Sequence, residues 1–308
     1  MLMSEADKRY IELIQEVLND GKWDTDAPVR ATWKDGQPAY TKSIINKQMK
    51  FDNGKEITLF TQKRVPTKDP INELFWIWRD KSNYVPHLRN MGCNVWNEWE
   101  RADETIGNAY GWVLANKKRE VKKTDILMDM IDNGELKVHW TEYPNKYDEV
   151  VYLDQVNYLI YMLKTNPHSR RIKTTLWSVE DLDDMALEPC VYETHFQLWD
   201  GKLHLTVNIR SNDAGLGNAY NLYQYSILHR LISQVTGHEV GTICFNIDNF
   251  HVYDRHIEPL SEMIKRETYD APSVWINPEI KSFYDFTIDD IKVTNYKHGD
   301  KVQLEVAI

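Results

Sequence analysis

Apolar positions along this chain recur with two periods, and the switches between them predict its elements. Between residues 6 and 20, Tyr10, Leu13, Ile14 and Val17 fall at i, i+3, i+4 and i+7, one face of a helix, with Gly21 placed to stop it. From Ala39 to Phe60 the chain reads as strand, broken near Asn53-Gly54. Asp69-Pro70 reads as an N-cap followed by proline in the first turn. The helix it opens carries Ile71, Leu74, Phe75 and Trp78 on its apolar face, and Glu73 lies beside that face rather than opposite it. Asp154 caps another helix, with Val156, Leu159, Ile160 and Leu163 on one side and Asn166-Pro167 at its end. Strands are expected around Ile172–Trp177 and Val191–Leu198. Over 201–210, Leu203, Leu205, Val207 and Ile209 alternate, which puts His204, Thr206, Asn208 and Arg210 on the opposite face of a half-buried strand. A longer helix covers about Leu222–Val235, where Leu228, Leu231, Ile232 and Val235 face a core and Gly237 fits the C-cap. Residues 302–308 alternate as a final strand.

Residues 115–150 break this pattern. The basic run 116–123 reads as a solvated loop, and a short helical piece with Ile126, Leu127, Met130 and Ile131 follows. The segment reads as a polar insertion on a single domain spanning 1–308. Long helices and strands without a regular strand–helix alternation predict an α+β fold.

Composition narrows the function classes. With 42% hydrophobic residues and 12% aromatics, 308 residues support a sizeable core. No run of about eighteen apolar residues occurs, so no membrane span is expected. The start lacks the basic-then-apolar order of a signal peptide. The 3 cysteines, Cys93, Cys190 and Cys244, are odd in number and scattered, which suits a reducing, cytoplasmic setting. No Cys-x-x-Cys pair or His cluster offers metal-ligand spacing, so no metal is expected. The net charge of −10 repels polyanions, so DNA is not an expected partner. A small anion remains a fitting ligand where arginines are focused, as at Arg210-Ser211-Asn212-Asp213 and Ser169-Arg170-Arg171.

A thiol accompanies those arginines. A buried cysteine is most often an inert core residue. Cys190, however, follows Pro189 at a loop-to-strand junction, and arginines from other segments are able to stabilise its thiolate. Cys93 and Cys244 lack such surroundings. A thiol with several arginines suggests covalent chemistry on a phosphorylated substrate. Glu73 would ordinarily be an exposed helical carboxylate, yet its place beside an apolar face permits burial and a raised pKa. His251 and Tyr253 lie two apart on a strand, hence on one face.

These residues also carry a resemblance. The runs Asp154-Gln155, Asn166-Pro167-His168-Ser169-Arg170-Arg171, Trp177, Met185-Ala186-Leu187, Pro189-Cys190, Arg210-Ser211-Asn212-Asp213, Leu216-Gly217 and Asn221 resemble the thymidylate synthase family. So do Glu73-Leu74 with Trp76, Trp96 and Trp99, Tyr110-Gly111, and His251-Val252-Tyr253. The matches keep order and spacing over nearly the whole chain, and only about 115–150 looks foreign. Val191 after the cysteine, where many members have His, resembles a branch found in some Gram-positive bacteria and their phages.

The resemblance implies a twisted six-stranded mixed β-sheet flanked by helices, and a homodimer packed sheet against sheet. It implies reductive methylation of dUMP to dTMP with methylenetetrahydrofolate as both carbon donor and reductant, through a covalent adduct of Cys190 at carbon 6 of the uracil. Glu73 is then the proton-transfer residue, and Tyr110 stands near the proton lost from carbon 5. Asn221 reads the pyrimidine edge, since an amide offers both donor and acceptor. Arg210 and Ser211 hold the phosphate with Arg170 and Arg171 from the partner subunit, and Arg30 is a further phosphate arginine. His251 and Tyr253 bind the deoxyribose hydroxyl. Val95, Trp96, Leu187, Gly217 and Tyr220 form the folate slot, to which Trp99 is a possible addition, and Asp213 binds the pterin edge. Val306-Ala307-Ile308 resembles the family's closing tail.

Three departures surround these sites. Asn97 replaces the usual acid between the tryptophans, Asp248-Asn249 stands where Gly-Asp is usual, and Trp112-Val113 follows Tyr110-Gly111. They leave a second outcome open, a deoxyuridylate hydroxymethylase in which water attacks the methylene intermediate. The retained Trp96 favours methylation, because a packed indole helps exclude water. Intact Cys190, Glu73 and Asn221 argue against a non-catalytic RNA-binding relative.

Overall fold

The structure is a computed structural model that describes residues 3–26, 28–138 and 149–308. Helix α1 (Glu5–Asp20) starts at Ser4, whose hydroxyl accepts the Asp7 amide, and ends at Gly21. Its Tyr10, Leu13, Ile14 and Val17 are all buried, as the spacing predicts. Strand β1 (Lys22–Trp23) and the long β2 (Thr41–Asp52) follow. The strand does not resume after Asn53-Gly54. Ile57, Leu59 and Phe60 are buried, but they join no ladder; Thr58 donates to the Leu222 carbonyl and Phe60 stacks on Tyr10 at 4.0 Å. Their apolar character serves packing between helices, which periodicity alone does not separate from a strand.

Helix α2 (Asp69–Leu74) begins at Asp69 itself, so this residue is the first helical position and Lys68 is the cap, with Pro70 in the first turn. The helix widens into a π-helical turn over Phe75–Arg79, closed by the Asp80 amide on the Phe75 carbonyl at 2.8 Å. Helices α3 (Val85–Asn90) and α4 (Gly111–Asn116) come next. The basic run is not wholly a loop. Arg119–Lys122 forms β3, which pairs with β4 (Val150–Leu153) and sets Val121 against the buried Val151. Helix α5 (Asp125–Asp132) lies between them and matches the expected piece; residues 139–148 of the expected insertion lie outside the described residues.

Asp154 caps α6 (Gln155–Thr165), accepting the amides of Val156 and Asn157 at 3.0 and 2.9 Å. Then come β5 (Lys173–Thr175), β6 (Val191–Trp199), β7 (Lys202–Ile209) and β8 (Asn212–Asp213). Helix α7 (Gly217–Thr236) starts five residues earlier than its apolar face suggests and ends at Gly237 in the left-handed region, φ 75°. Strand β9 (Glu239–Tyr253), α8 (Ile257–Met263) and the hairpin β10 (Ser273–Ile276) with β11 (Ile291–Thr294) complete the chain. The segment 302–308 enters no strand.

The main sheet runs β1-β2-β9-β7-β6-β5, with β8 added beside β9. It is mixed: β7 and β8 run parallel to β9, and the other pairs are antiparallel. It has seven strands where the resemblance implied six, two of them only two residues long. On one face Leu203, Leu205, Val207 and Ile209 are buried, and α7 packs against β7, β9 and α2. The other face carries a polar row across five strands: Gln48, Asn246, Asn208, Glu193 and Lys173 are joined by successive side-chain hydrogen bonds of 2.9 to 3.0 Å.

Candidate active site

Cys190 stands one residue before β6, where the loop after Met185 meets the sheet. Its amide donates to the Tyr110 hydroxyl at 3.2 Å, and its carbonyl accepts the Arg210 amide at 2.9 Å. The Arg210 guanidinium is clamped beneath the same loop, donating to the Pro189 carbonyl at 3.0 Å and the Glu188 carbonyl at 2.8 Å. Burial pushes the thiol above its ordinary range; the positive charges of Arg210 and Arg30 oppose this, and Asp213 adds to it. Within one chain the expected depression of this thiol is therefore not reached. Anything that covers the pocket with more positive charge would favour the thiolate.

Tyr110 is held in the left-handed region at φ 47°. The next residue must be glycine, because a Cβ on Gly111 would stand 2.3 Å from the Ser82 carbonyl oxygen. Such strain persists only where surrounding packing fixes it. The Tyr110 ring meets Trp96 edge-on at 5.1 Å, and Trp96 also packs against Trp76 at 6.2 Å and Trp99 at 5.6 Å. The Trp96 indole donates to one oxygen of Glu73, and Gln224 on α7 donates to the other at 2.6 Å. Glu73 is buried, which lifts its pKa to about 7 against the lowering effect of those two bonds. A buried carboxyl poised near neutrality suits proton transfer.

The opposite wall is built on amides. Asn218 donates to Asn212, and Asn212 donates to Asn221 Oδ1 at 3.2 Å, so the Asn221 amide is oriented before any ligand arrives. Asp213 accepts the amides of Gly215 and Leu216 at 2.8 and 3.1 Å, shaping the turn that leads into α7. The Lys63 ammonium donates to the Gly215 carbonyl from beneath, and burial lowers its pKa to about 8. His251 and Tyr253 share a face, their rings perpendicular at 5.3 Å, and Asn249 fixes His251 through a 2.9 Å bond to Nδ1. The Tyr253 phenol is pushed up to about 12, by burial first and then by Asp213 and Cys190, with Arg30 opposing.

Around this centre, Leu187, Gly217 and Tyr220 are half-buried and Val95 is exposed; Trp99 is partly buried against Trp96. The Tyr220 hydroxyl contacts Cys93 Sγ at 3.6 Å. Ile308 pairs with Thr32 through two backbone hydrogen bonds of 2.7 and 2.9 Å. Ser211 follows Arg210 directly, half-buried. Arg170 and Arg171 are not brought to Cys190 within this chain: both are exposed in the loop between α6 and β5. Arg170 lines a surface cleft of about 450 Å³ with Ser169, Gln197, Trp199 and His204.

Sequence reasoning missed Gln224 and Asn212, which hold Glu73 and Asn221. Asn212 sat inside a motif already singled out, whereas Gln224 gave no signal beyond a polar residue on an apolar helix.

Comparison with known proteins matches the geometry. The Thymidylate synthase family model covers residues 8–308. Thymidylate synthase 1 of Bacillus spizizenii is 48% identical over 307 residues, 99% of this chain and 100% of that protein. The thymidylate synthase of Bacillus phage phi3T is 47% identical over the same span. The solved thermostable thymidylate synthase A from Bacillus subtilis superposes with a TM-score of 0.85 at 47% identity, covering 98% of this chain and 99% of that one. With the family model matched over residues 8–308 and relatives 47 to 48% identical over nearly the whole chain, the chain belongs to the thymidylate synthase family.

Proposed function

We propose that the pocket around Cys190 carries out the reductive methylation that makes dTMP from dUMP, with methylenetetrahydrofolate as co-substrate. The observation that carries this reading is the chain of contacts from the Cys190 amide through Tyr110 and Trp96 to Glu73, which links the cysteine's loop to a buried carboxyl of pKa about 7. The Cys190 thiolate adds to carbon 6 of the uracil, which makes carbon 5 nucleophilic. Carbon 5 attacks the folate methylene, loses its proton, and tetrahydrofolate is eliminated. The folate then gives a hydride to the exocyclic methylene, and the displaced electron pair re-forms the carbon 5–carbon 6 double bond and expels the Cys190 thiolate, giving dTMP and dihydrofolate, so carbon and electrons come from one co-substrate. Releasing the thiol from carbon 6 returns the enzyme to its start.

Glu73 moves the protons at the uracil carbonyl, and Tyr110 stands near the carbon 5 proton, which leaves through water. Asn221 pairs with O4 and N3–H of uracil. Arg210, Ser211 and Arg30 take the phosphate, joined by Arg170 and Arg171 of a partner subunit in a homodimer packed sheet against sheet. His251 and Tyr253 take the deoxyribose hydroxyl. Val95, Trp96, Leu187, Gly217, Tyr220 and Ile308 cover the folate, and Asp213 meets its pterin edge. Trp96, packed by Trp76, Trp99 and Tyr110, keeps water from the methylene intermediate and so favours hydride transfer over hydroxymethylation. The free cysteines Cys93, Cys190 and Cys244 suit a reducing cytoplasm.

Mass spectrometry of the product after incubation with dUMP and methylenetetrahydrofolate tests the reading. The expected product is dUMP plus one CH2, formed in equal amount with dihydrofolate. A product carrying one further oxygen, formed with tetrahydrofolate, overturns it. Cys190→Ser should lose at least about a thousandfold in turnover while still binding dUMP.

A further inference from the structure

Two segments distant in sequence meet beside Tyr253. Thr32 and Ile308 exchange backbone hydrogen bonds of 2.7 and 2.9 Å, and the Lys34 amide donates to a Glu305 oxygen at 3.3 Å. One side chain joins them. Arg255 donates from Nη1 to Glu305 at 2.9 Å and from Nη2 to Asp35 at 2.6 Å. Its guanidinium lies 4.9 Å over the indole of Trp33. Trp33 is buried, donates to Asp254 at 3.0 Å, and meets the Tyr253 ring edge-on at 5.7 Å.

We propose that Arg255 is a positioning residue for the reaction: it locks the Arg30 segment to the 302–308 segment, so that the grip on the phosphate and the cover over the folate form together. This rests on the reading of Arg30 and Ile308 as ligand contacts. Arg30 lies three residues before Trp33, Ile308 lies three after Glu305, and Tyr253 lies two before Arg255. An exposed ion pair alone is worth little. Here one planar fork serves two carboxylates, and a buried indole already orders it, so a single ordering cost supports both bonds. The bridge also decides a sign. With Arg255 present, Asp35 and Glu305 are both attracted to one point; without it, they are like charges on the two segments that must stay joined. The Thr32–Ile308 backbone pair and the exposed Lys34 amide bond to Glu305 are a weak tie against that repulsion.

The test is Arg255→Met, which keeps an unbranched apolar stem over Trp33 and removes the charge. KM for both dUMP and methylenetetrahydrofolate should rise about fivefold, with kcat falling less. Arg255→Lys should recover part of the loss. The pair Asp35→Asn with Glu305→Gln removes both partners; adding Arg255→Met to it should change neither KM by more than about twofold. Amide hydrogen exchange should show faster exchange at Thr32 and Ile308 in Arg255→Met than in the wild type. Unchanged KM values with unchanged exchange overturn the proposal, as does a KM rise of the same size when Arg255→Met is added to the neutralised pair. If the wild type fails to methylate dUMP, the reaction assigned above falls, whereas the exchange arm still reports on the bridge. If Arg255→Met does not fold, the same comparison is made with Arg255→Lys.

Discussion

At the scale of single residues, Glu73 shows how burial and hydrogen bonding divide control of one proton. Burial raises its pKa to about 7, while the Trp96 and Gln224 bonds, which favour the charged form, hold it from rising further. Gln224 is itself buried, with its amide shared between Glu73 Oε2 and the Pro70 carbonyl. Gln224→Leu removes one bond to the carboxylate and leaves the desolvation in place. The pKa then moves further up, and the limb of the pH–rate profile that reports Glu73 should shift about one unit to higher pH. The pH dependence of kcat/KM checks this, and a limb that stays where it was would show that Gln224 does not act through Glu73. The same carboxyl makes the folded state take up a proton that the unfolded chain has already released between its ordinary pKa of 4.5 and about 7. Its contribution to stability is therefore complete below the lower value and declines as pH rises through that window.

At the scale of elements, the capped helix α6 ties the β3–β4 strand pair to the rest of the fold. Asp154 accepts two amides of its own helix with one oxygen, while the other accepts from Asn157 at 2.8 Å and pairs with Lys81 from the loop after the π-helical turn. Both partners are well buried, Lys81 at 14% and Asp154 at 3% side-chain exposure, so losing the carboxylate leaves the lysine charge buried without its ion pair. Asp154→Ala should cost about 3 kcal/mol, combining a lost cap with an unpaired lysine. Asp154→Asn, which keeps a capping oxygen, should cost less. Urea unfolding midpoints measure both, and equal midpoints for Ala and Asn would remove the cap from the account. The expectation of a cap at Asp154 was sound because capping is local. Its second bond, to Lys81 73 residues away, had no local signature.

At the scale of the whole molecule, a single chain leaves Arg170 and Arg171 exposed, together with a polar row whose ends, Gln48 and Lys173, are exposed and whose middle is half-buried. The proposed homodimer, packed sheet against sheet, would cover that row and bring the arginine pair to the partner's phosphate site. An Arg170→Ala, Arg171→Ala double variant mixed with Cys190→Ser subunits should then regain activity, since each heterodimer holds one site with both defects and one with neither. With complete exchange of equal amounts, about a quarter of all sites are intact. Native mass spectrometry establishes that heterodimers form. Heterodimers without turnover would place the arginines in their own subunit's site.

What the sequence determined by itself is whatever a short window encodes. The faces of α1, α6 and β7, the stops at Gly21 and Gly237, and the Asp154 cap depend on neighbours within one or two turns, and the structure has each of them. The thiol at Cys190 and the arginine beside it were legible too, because the loop-to-strand junction brings Arg210 back to the residue it follows by one hairpin. Tertiary structure decided the rest. The segments 57–60 and 302–308 read as strand, but whether a ladder forms depends on a partner edge; 57–60 joins none, and 302–308 pairs with another backbone at Ile308, opposite Thr32, without extending into a ladder. The basic run at 119–122 became a strand because β4 supplied that edge. Gln224 and Asn212 matter through carboxyl and amide groups that other elements carry to them. The bridge at Arg255 joins positions 220 and 50 residues away. Periodicity is a property of one segment; pairing, burial and charge balance belong to two, and a sequence specifies them only once the chain has folded.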